Sequence, residues 1–212
     1  VPPPEFWPTV TKACRKNNVL LIADEIVSGM GRSGAWLGGD RIGMEPDLVA
    51  FGKGLTGGYQ PLGVVMHGPA LAARFGREHI LHGQTFDGYD LGAEAALCLI
   101  DLIEEGGLLE QVRRRGTFLQ ARLNALRERM PAISNVRGWG LLWGVEISPE
   151  AVPDSELHPF ATTLQNALQD ECLLLGGLGR VQIFAPPFVA TEAEIEDGVG
   201  RFARVLARLL GT

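Results

Sequence analysis

VLLIADE, residues 19–25, is an unbroken apolar run that stops on two acids. Its length and branched content are those of a strand buried on both faces, as in parallel sheets that helices cover on either side. Ahead of it Phe6, Val10 and Ala13 recur at helical spacing, so the opening reads as helix, then strand. DLVAFG (47–52) and LGVVM (62–66) repeat the strand signal across a glycine-rich segment. LGAEAALCLIDLIEEGG (91–107) then reads as a long helix stopped by Gly106 and Gly107. Residues 1–106 therefore have the pattern of part of an α/β layer structure.

Beyond those glycines the texture changes. Leu109, Val112, Leu119, Leu123, Leu126 and Met130 lie mostly three or four apart among arginines, which predicts a helix with one apolar stripe, ended by Pro131. ISNVRGWGLLWGVEIS (133–148) predicts two strands or a bent one, 155–170 a helix, and RVQIFAPP (180–187) a short strand. Thr191 and Glu194 form a T-x-x-E capping box before Ile195, Val199, Phe202, Leu206 and Leu209, which predicts a closing helix to Leu210. A separate small α/β domain over 107–212 is the expectation.

At 212 residues and 46% hydrophobic, the chain can bury a real core. Lys plus Arg number 19 against 25 Asp plus Glu, a net charge of −6, which offers no broad attraction to nucleic acid or anionic lipid. Cys14, Cys98 and Cys172 are far apart, arguing against a disulfide framework and for a reducing, cytoplasmic setting. His67, His79, His82 and His158 form no metal-ligand motif, and no run has the length of a membrane span or the order of a signal peptide. Neither a metal nor a membrane is expected.

Asp24 and Glu25 close a predicted inner strand, where open α/β sheets present their ligand crevice. Taken alone, such a carboxylate caps a turn or pairs with arginine. It also suits the magnesium-positioning acid of a P-loop ATPase, but that class needs GxxxxGK[ST], and here Lys53 is followed by Gly54. Lys53 ends the next apolar run between Gly52 and Gly54. A strand-end lysine usually points into water; the functional reading is that burial lowers its pKa and makes the amine a nucleophile towards carbonyls. Together the pair meets the needs of pyridoxal phosphate: a lysine to hold its aldehyde as an imine and a carboxylate to keep its ring nitrogen protonated.

Five segments carry a further resemblance: IADEIVSGMGRSG (22–34), PDLVAFGKGLTGGYQPLGVVM (46–66), HGQTFDGYDLGAEAAL (82–97), VRGWGLLWGVEI (136–147) and IFAPPFVATEAEI (183–195). In this order, along nearly the whole chain, they resemble class III aminotransferases, of the fold type I pyridoxal phosphate enzymes. The resemblance implies the C-terminal part of the family's large domain plus its small C-terminal domain. It implies that Lys53 carries the cofactor, that Asp24 pairs with the pyridinium and that Ile26 packs on one ring face. Thr85 matches the threonine that reaches the phosphate of the neighbouring subunit, implying a homodimer with its active site at the interface. Arg32 falls in the family's GR[ST]G turn and reads as structural. Gly52 and Gly54 let backbone and cofactor approach closely.

Two departures bear on substrate. Where many members have an arginine clamp for carboxylate, three residues before the PP pair, this chain has Ile183; where many have glutamine after the aspartate, it has Val27. Without the bidentate guanidinium, carboxylate recognition weakens, and both changes resemble the branch that uses amines, diamines or β- and ω-amino acids. Arg180 could substitute, although a loop arginine is more often solvated. The family's phosphate cup and ring-stacking aromatic have no counterpart here, so the chain reads as the C-terminal half of the family's length and is expected, alone, to bind cofactor weakly. The leading expectation is an aminotransferase moving an amino group from an amine or ω-amino acid to a keto acid. The alternatives are an aminomutase or decarboxylase on the same fold, a P-loop ATPase fragment and a catalytically silent fragment.

Overall fold

A computed structural model describes residues 2–3, 5–75 and 83–211. The chain divides into two compact units, Pro2–Leu109 and Glu110–Thr212.

In the first unit α1 (Phe6–Lys16) precedes β1 (Ile22–Asp24), β2 (Leu48–Phe51) and β3 (Val64–His67), followed by α2 (Pro69–Phe75) and α3 (Asp90–Glu105). The sheet has the order β1-β2-β3, with β1 parallel to β2, Asp24 opposite Ala50, and β3 antiparallel to β2. Asp47 sets the entry to this sheet. Its carboxylate takes both hydrogen bonds of Arg15 Nη1 from α1, at 2.9 and 2.8 Å, and the Leu21 N–H at 2.7 Å. That hydrogen bond raises the Arg15 pKa, the expected response of a cation to a bidentate carboxylate. The core of the unit is Met30, Phe51, Leu55 and Ala96.

β1 corrects the sequence reading. The run 19–25 contributes a strand of three residues rather than seven, and within that strand only Ala23 is buried. Ile22 is 62% exposed, with Val19 and Leu20 also exposed. The physical reason is cover: burial alternates along β1, so Ile22 and Asp24 stand on a face of the sheet left open among the described residues while Ala23 faces the packed side.

In the second unit α4 (Leu108–Arg129), which begins two residues ahead of it, leads to β4 (Ile133–Trp139), β5 (Leu142–Ile147), α5 (Leu157–Asp170), β6 (Gly176–Leu178), β7 (Val181–Phe184) and α6 (Glu192–Leu210). The four strands form an antiparallel sheet of order β4-β5-β7-β6. Gly140, at φ 52°, turns β4 into β5, and alternation along β5 buries Trp143, Val145 and Ile147. These meet Val112, Leu119 and Leu123 of α4, Leu164 and Leu168 of α5, and Phe202 and Leu206 of α6 in one core. Each such fully buried side chain contributes roughly 1.5–3 kcal/mol. Among the described residues no helix is long and apolar enough to cross a membrane.

The capping box at α6 is present as read: Thr191 Oγ1 accepts from Glu194 N–H at 3.2 Å, and Glu194 Oε2 accepts from Thr191 N–H at 2.7 Å. The Thr191 backbone and hydroxyl bonds hold the Glu194 carboxyl below its ordinary range. Thr191→Ala is expected to destabilise the unit by about 1 kcal/mol, read by chemical denaturation. Because the folded pKa is depressed, the Glu194 contribution is complete above the ordinary glutamate value and is lost as pH falls through the lowered one. The gap between parent and Thr191→Ala should therefore narrow in acid; a gap that widens would remove this account.

Candidate active site

The parallel pairing of β1 and β2 brings two chain reversals to the same end of the sheet. β1 ends on Asp24; β2 ends on Phe51, and Gly52 leads into a single 3-10 turn, Lys53–Thr56. That turn buries Leu55 and Thr56, which leaves Lys53 and Gly54 on its outer side. Lys53 is thus exposed, as a strand-end lysine usually is, rather than buried as the functional reading of the sequence has it. Its backbone is at φ 42°, in the left-handed region that side chains other than asparagine and aspartate rarely adopt. Among the described residues no hydrogen bond or ion pair engages the Lys53 amine.

Asp24 is likewise exposed, and its Oδ1 accepts the Ile26 N–H at 3.1 Å. This two-residue reach fixes the start of the turn after β1. Ile26 then packs over the next strand end: a Cβ placed on Gly52 would lie 3.5 Å from Ile26 Cγ2. Asp24, Ile26 and the Gly52 backbone are therefore neighbours. Thr85 lies apart in sequence, exposed in the turn 85–88 that leads into α3, and among the described residues no hydrogen bond joins it to the other three. Val27 is half exposed beside Ile26.

Glu25, which the sequence reading left without a role, is 4% exposed. Its Oε2 accepts the Ser28 hydroxyl at 2.6 Å and Gly38 N–H at 2.9 Å, and its Oε1 accepts Gly39 N–H at 2.7 Å. No local spacing announces this, because the glycines that bind it lie more than a dozen residues on. Arg32 sits in the tight turn 29–36, closed by Met30 N–H to Trp36 O at 2.9 Å and Gly34 N–H to Gly31 O at 2.9 Å. Burial lowers its pKa, which fits a structural arginine inside a turn.

In the second unit Arg180 is already committed. Its guanidinium donates to the carbonyls of Ser148 and Val152 and to Asp154 Oδ1, binding the loop after β5. Ile183 on β7 is half buried and lines an apolar hollow of about 500 Å³ with Leu174 and Val189, both strongly exposed. A larger hollow of about 830 Å³ in the first unit runs along Phe51, Leu55, Leu62 and Ile100, and neither Asp24 nor Lys53 lines it. Among the described residues no group of three or more His, Cys, Asp or Glu could hold a metal ion.

A family model described as aminotransferase class-III matches residues 1–206. The chain belongs to that family. Taurine–pyruvate aminotransferase of Rhodobacter capsulatus is 36% identical over 227 residues, covering 99% of this chain and 49% of that protein. The (R)-1-hydroxy-2-aminoethylphosphonate ammonia-lyase of Vibrio splendidus is 31% identical over 212 residues, covering 99% of this chain and 43% of its own. A thermostable (S)-enantioselective omega-transaminase from Thermomicrobium roseum superposes with a TM-score of 0.86 at 31% identity, covering 99% of this chain and 48% of that one. The chain therefore has the class III fold and spans about half the length of the curated relatives it matches. A P-loop ATPase is not favoured by any of these likenesses.

Proposed function

We propose that the protein carrying this chain is a pyridoxal phosphate-dependent aminotransferase that moves an amino group from an amine or ω-amino acid to a keto acid. The observation that carries the reading is that, in a class III chain, one of two neighbouring parallel strands ends on Asp24 and the other runs through Phe51 into Gly52–Lys53, with Ile26 packed on Gly52. These residues fit the cofactor: an amine free of described partners and a carboxylate follow the same end of two neighbouring parallel strands, with an apolar side chain packed on Gly52. Pyridoxal phosphate, when bound, supplies an aldehyde for imine formation and an electron-accepting ring.

Lys53 Nζ would hold the aldehyde and, as a free amine, would accept the proton of the amine-bearing carbon as base and return it as acid. The Asp24 carboxylate would keep the proton on the ring nitrogen, and Ile26 would shield one ring face from water. Thr85 would donate its hydroxyl to the phosphate bound by a second copy, which makes the working form a homodimer. Ile183 in place of an arginine favours donors whose far end is apolar or uncharged. The three free cysteines agree with a reducing, cytoplasmic setting.

Reduction with borohydride in the presence of pyridoxal phosphate, followed by peptide mapping, tests the reading. The chain has three lysines, and Lys12 and Lys16 both lie on α1, so they serve as an internal reference for indiscriminate labelling. Preferential labelling of Lys53 is expected; equal labelling of all three would defeat the assignment. Asp24→Asn should lower kcat by about 10²–10³-fold and raise the cofactor concentration needed to label Lys53. Because an ammonia-lyase is among the relatives, keto acid consumption is the second readout: one pyruvate or other keto acid used per amine marks transfer, and none marks elimination.

A further inference from the structure

Glu25 is the most deeply buried charged residue among the described residues, at 4% exposed. Leaving a carboxylate out of water is costly unless donors replace the solvent, and here three do: Ser28 Oγ, Gly38 N–H and Gly39 N–H. The loop is shaped to this one group. A Cβ on Gly38 would come within 3.1 Å of Glu25 Oε2, and one on Gly39 within 3.3 Å of Oε1. A Cβ on Gly29 would meet the Glu25 carbonyl oxygen at 2.8 Å and the Phe51 ring of β2 at 3.0 Å. Two glycines thus leave the carboxylate no slack, and Gly29 leaves none for the backbone of the same residue.

The backbone of the same residue is tied to the neighbouring strand. Glu25 N–H donates to Ala50 O at 2.9 Å, extending the β1–β2 ladder one step past Asp24, and Gly29 N–H returns to Glu25 O at 3.0 Å. Asp24 and Ile26 flank it directly, and Ile26 packs on Gly52 beside Lys53. Any drift of Glu25 moves both flanking residues relative to the lysine.

We infer that Glu25 is the positioning residue of this site: its carboxylate gathers the 28–39 loop and so fixes the Asp24 carboxylate and the Ile26 side chain against Lys53. Asp24 and Ile26 would meet the cofactor; Glu25 acts only through them. The inference rests on the proposed function and adds a residue to it.

The test compares the full chain with Glu25→Gln, Ser28→Ala and Ile103→Ala, titrating pyridoxal phosphate with borohydride reduction and mapping Lys53 against Lys12. Glutamine keeps the size of the side chain but turns an N–H donor towards Gly38 N–H and Ser28. Expected is a loss of Lys53 labelling relative to Lys12 of about ten-fold for Glu25→Gln and a smaller loss for Ser28→Ala. Ile103→Ala opens a void at a residue 1% exposed in α3 of the same unit, and at equal or greater loss of melting temperature it should keep the parental ratio. If Glu25→Gln labels like the parent, or no worse than Ile103→Ala at matched melting temperature, the positioning role is overturned. Should Glu25→Gln fail to fold, Ser28→Ala decides: a parental ratio there overturns the inference as well. A parent chain with no preference for Lys53 is a different failure, since it removes the proposed site itself.

Discussion

In the enzyme that carries this chain, Lys53→Ala is expected to abolish transamination, with kcat falling by at least about 10³-fold and no borohydride-stable adduct at that position. On the proposed function two roles vanish with one side chain: the group that would hold the aldehyde and the base that would move the substrate proton. The fold should not notice. Lys53 is exposed on the outer side of its turn and no described residue bonds its amine, so the change in unfolding free energy should stay within about 0.5 kcal/mol. Alanine also shares the need for a left-handed backbone at this position, so strain is unaltered. Steady-state assays with a keto acid acceptor, beside a denaturation curve, separate the two effects. A variant that keeps a tenth of parental turnover would show that another group performs the chemistry.

The second large effect concerns stability. Gly116 →Ala is expected to disrupt the second unit, because a Cβ there would lie 2.4 Å from the Gly140 carbonyl oxygen and 2.8 Å from its Cα. Helix α4 touches the β4–β5 turn backbone to backbone at this point, so no side chain can move aside. Gly140 O also accepts the indole N–H of buried Trp143 at 2.8 Å, and pushing the turn away breaks that bond. Alanine gains roughly 1 kcal/mol of helix propensity over glycine, whereas overpacking against backbone costs about 3 kcal/mol. The clash wins. For a unit of this size the melting temperature should fall by on the order of 10 °C; a melting temperature that rises would mean helix and turn are looser than described.

The parts of the fold that were legible in the sequence are those whose signals are local. The α6 cap was readable because Thr191 and Glu194 satisfy each other within one turn, and the stop at Gly106–Gly107 because glycine there accepts φ 57° at Gly107. The pattern of 133–148 suits either two strands or a bent one, and Gly140 resolves it as two. What failed was burial. An apolar run says that a strand wants cover, not whether both of its faces receive it, and so Ile22 was read as buried though it is exposed. β6 escaped notice because Gly176 and Gly177 carry no apolar pattern; its cue is pairing with Val181–Ile183, across a turn. At the site, Asp24 and Lys53 could be named from the ends of apolar runs and from family resemblance. The role of Glu25 could not, because its partners are backbone N–H groups of a distant loop, which leave no mark on residue type beyond the glycines themselves.

A lysine held at φ 42° sits uphill of its ordinary conformations by about 1–3 kcal/mol. Neighbours supply that energy: the burial of Leu55 and Thr56, and the bonds from Leu55 N–H to Gly52 O at 2.9 Å and from Gly57 N–H to Gly54 O at 3.1 Å. The amine is in effect spring-loaded. When the 52–57 stretch opens, the backbone relaxes and swings the side chain out of register. On the proposed function, placement of the amine and local order are then a single property: a chain that loosens there keeps its amine but loses the position from which Lys53 would act.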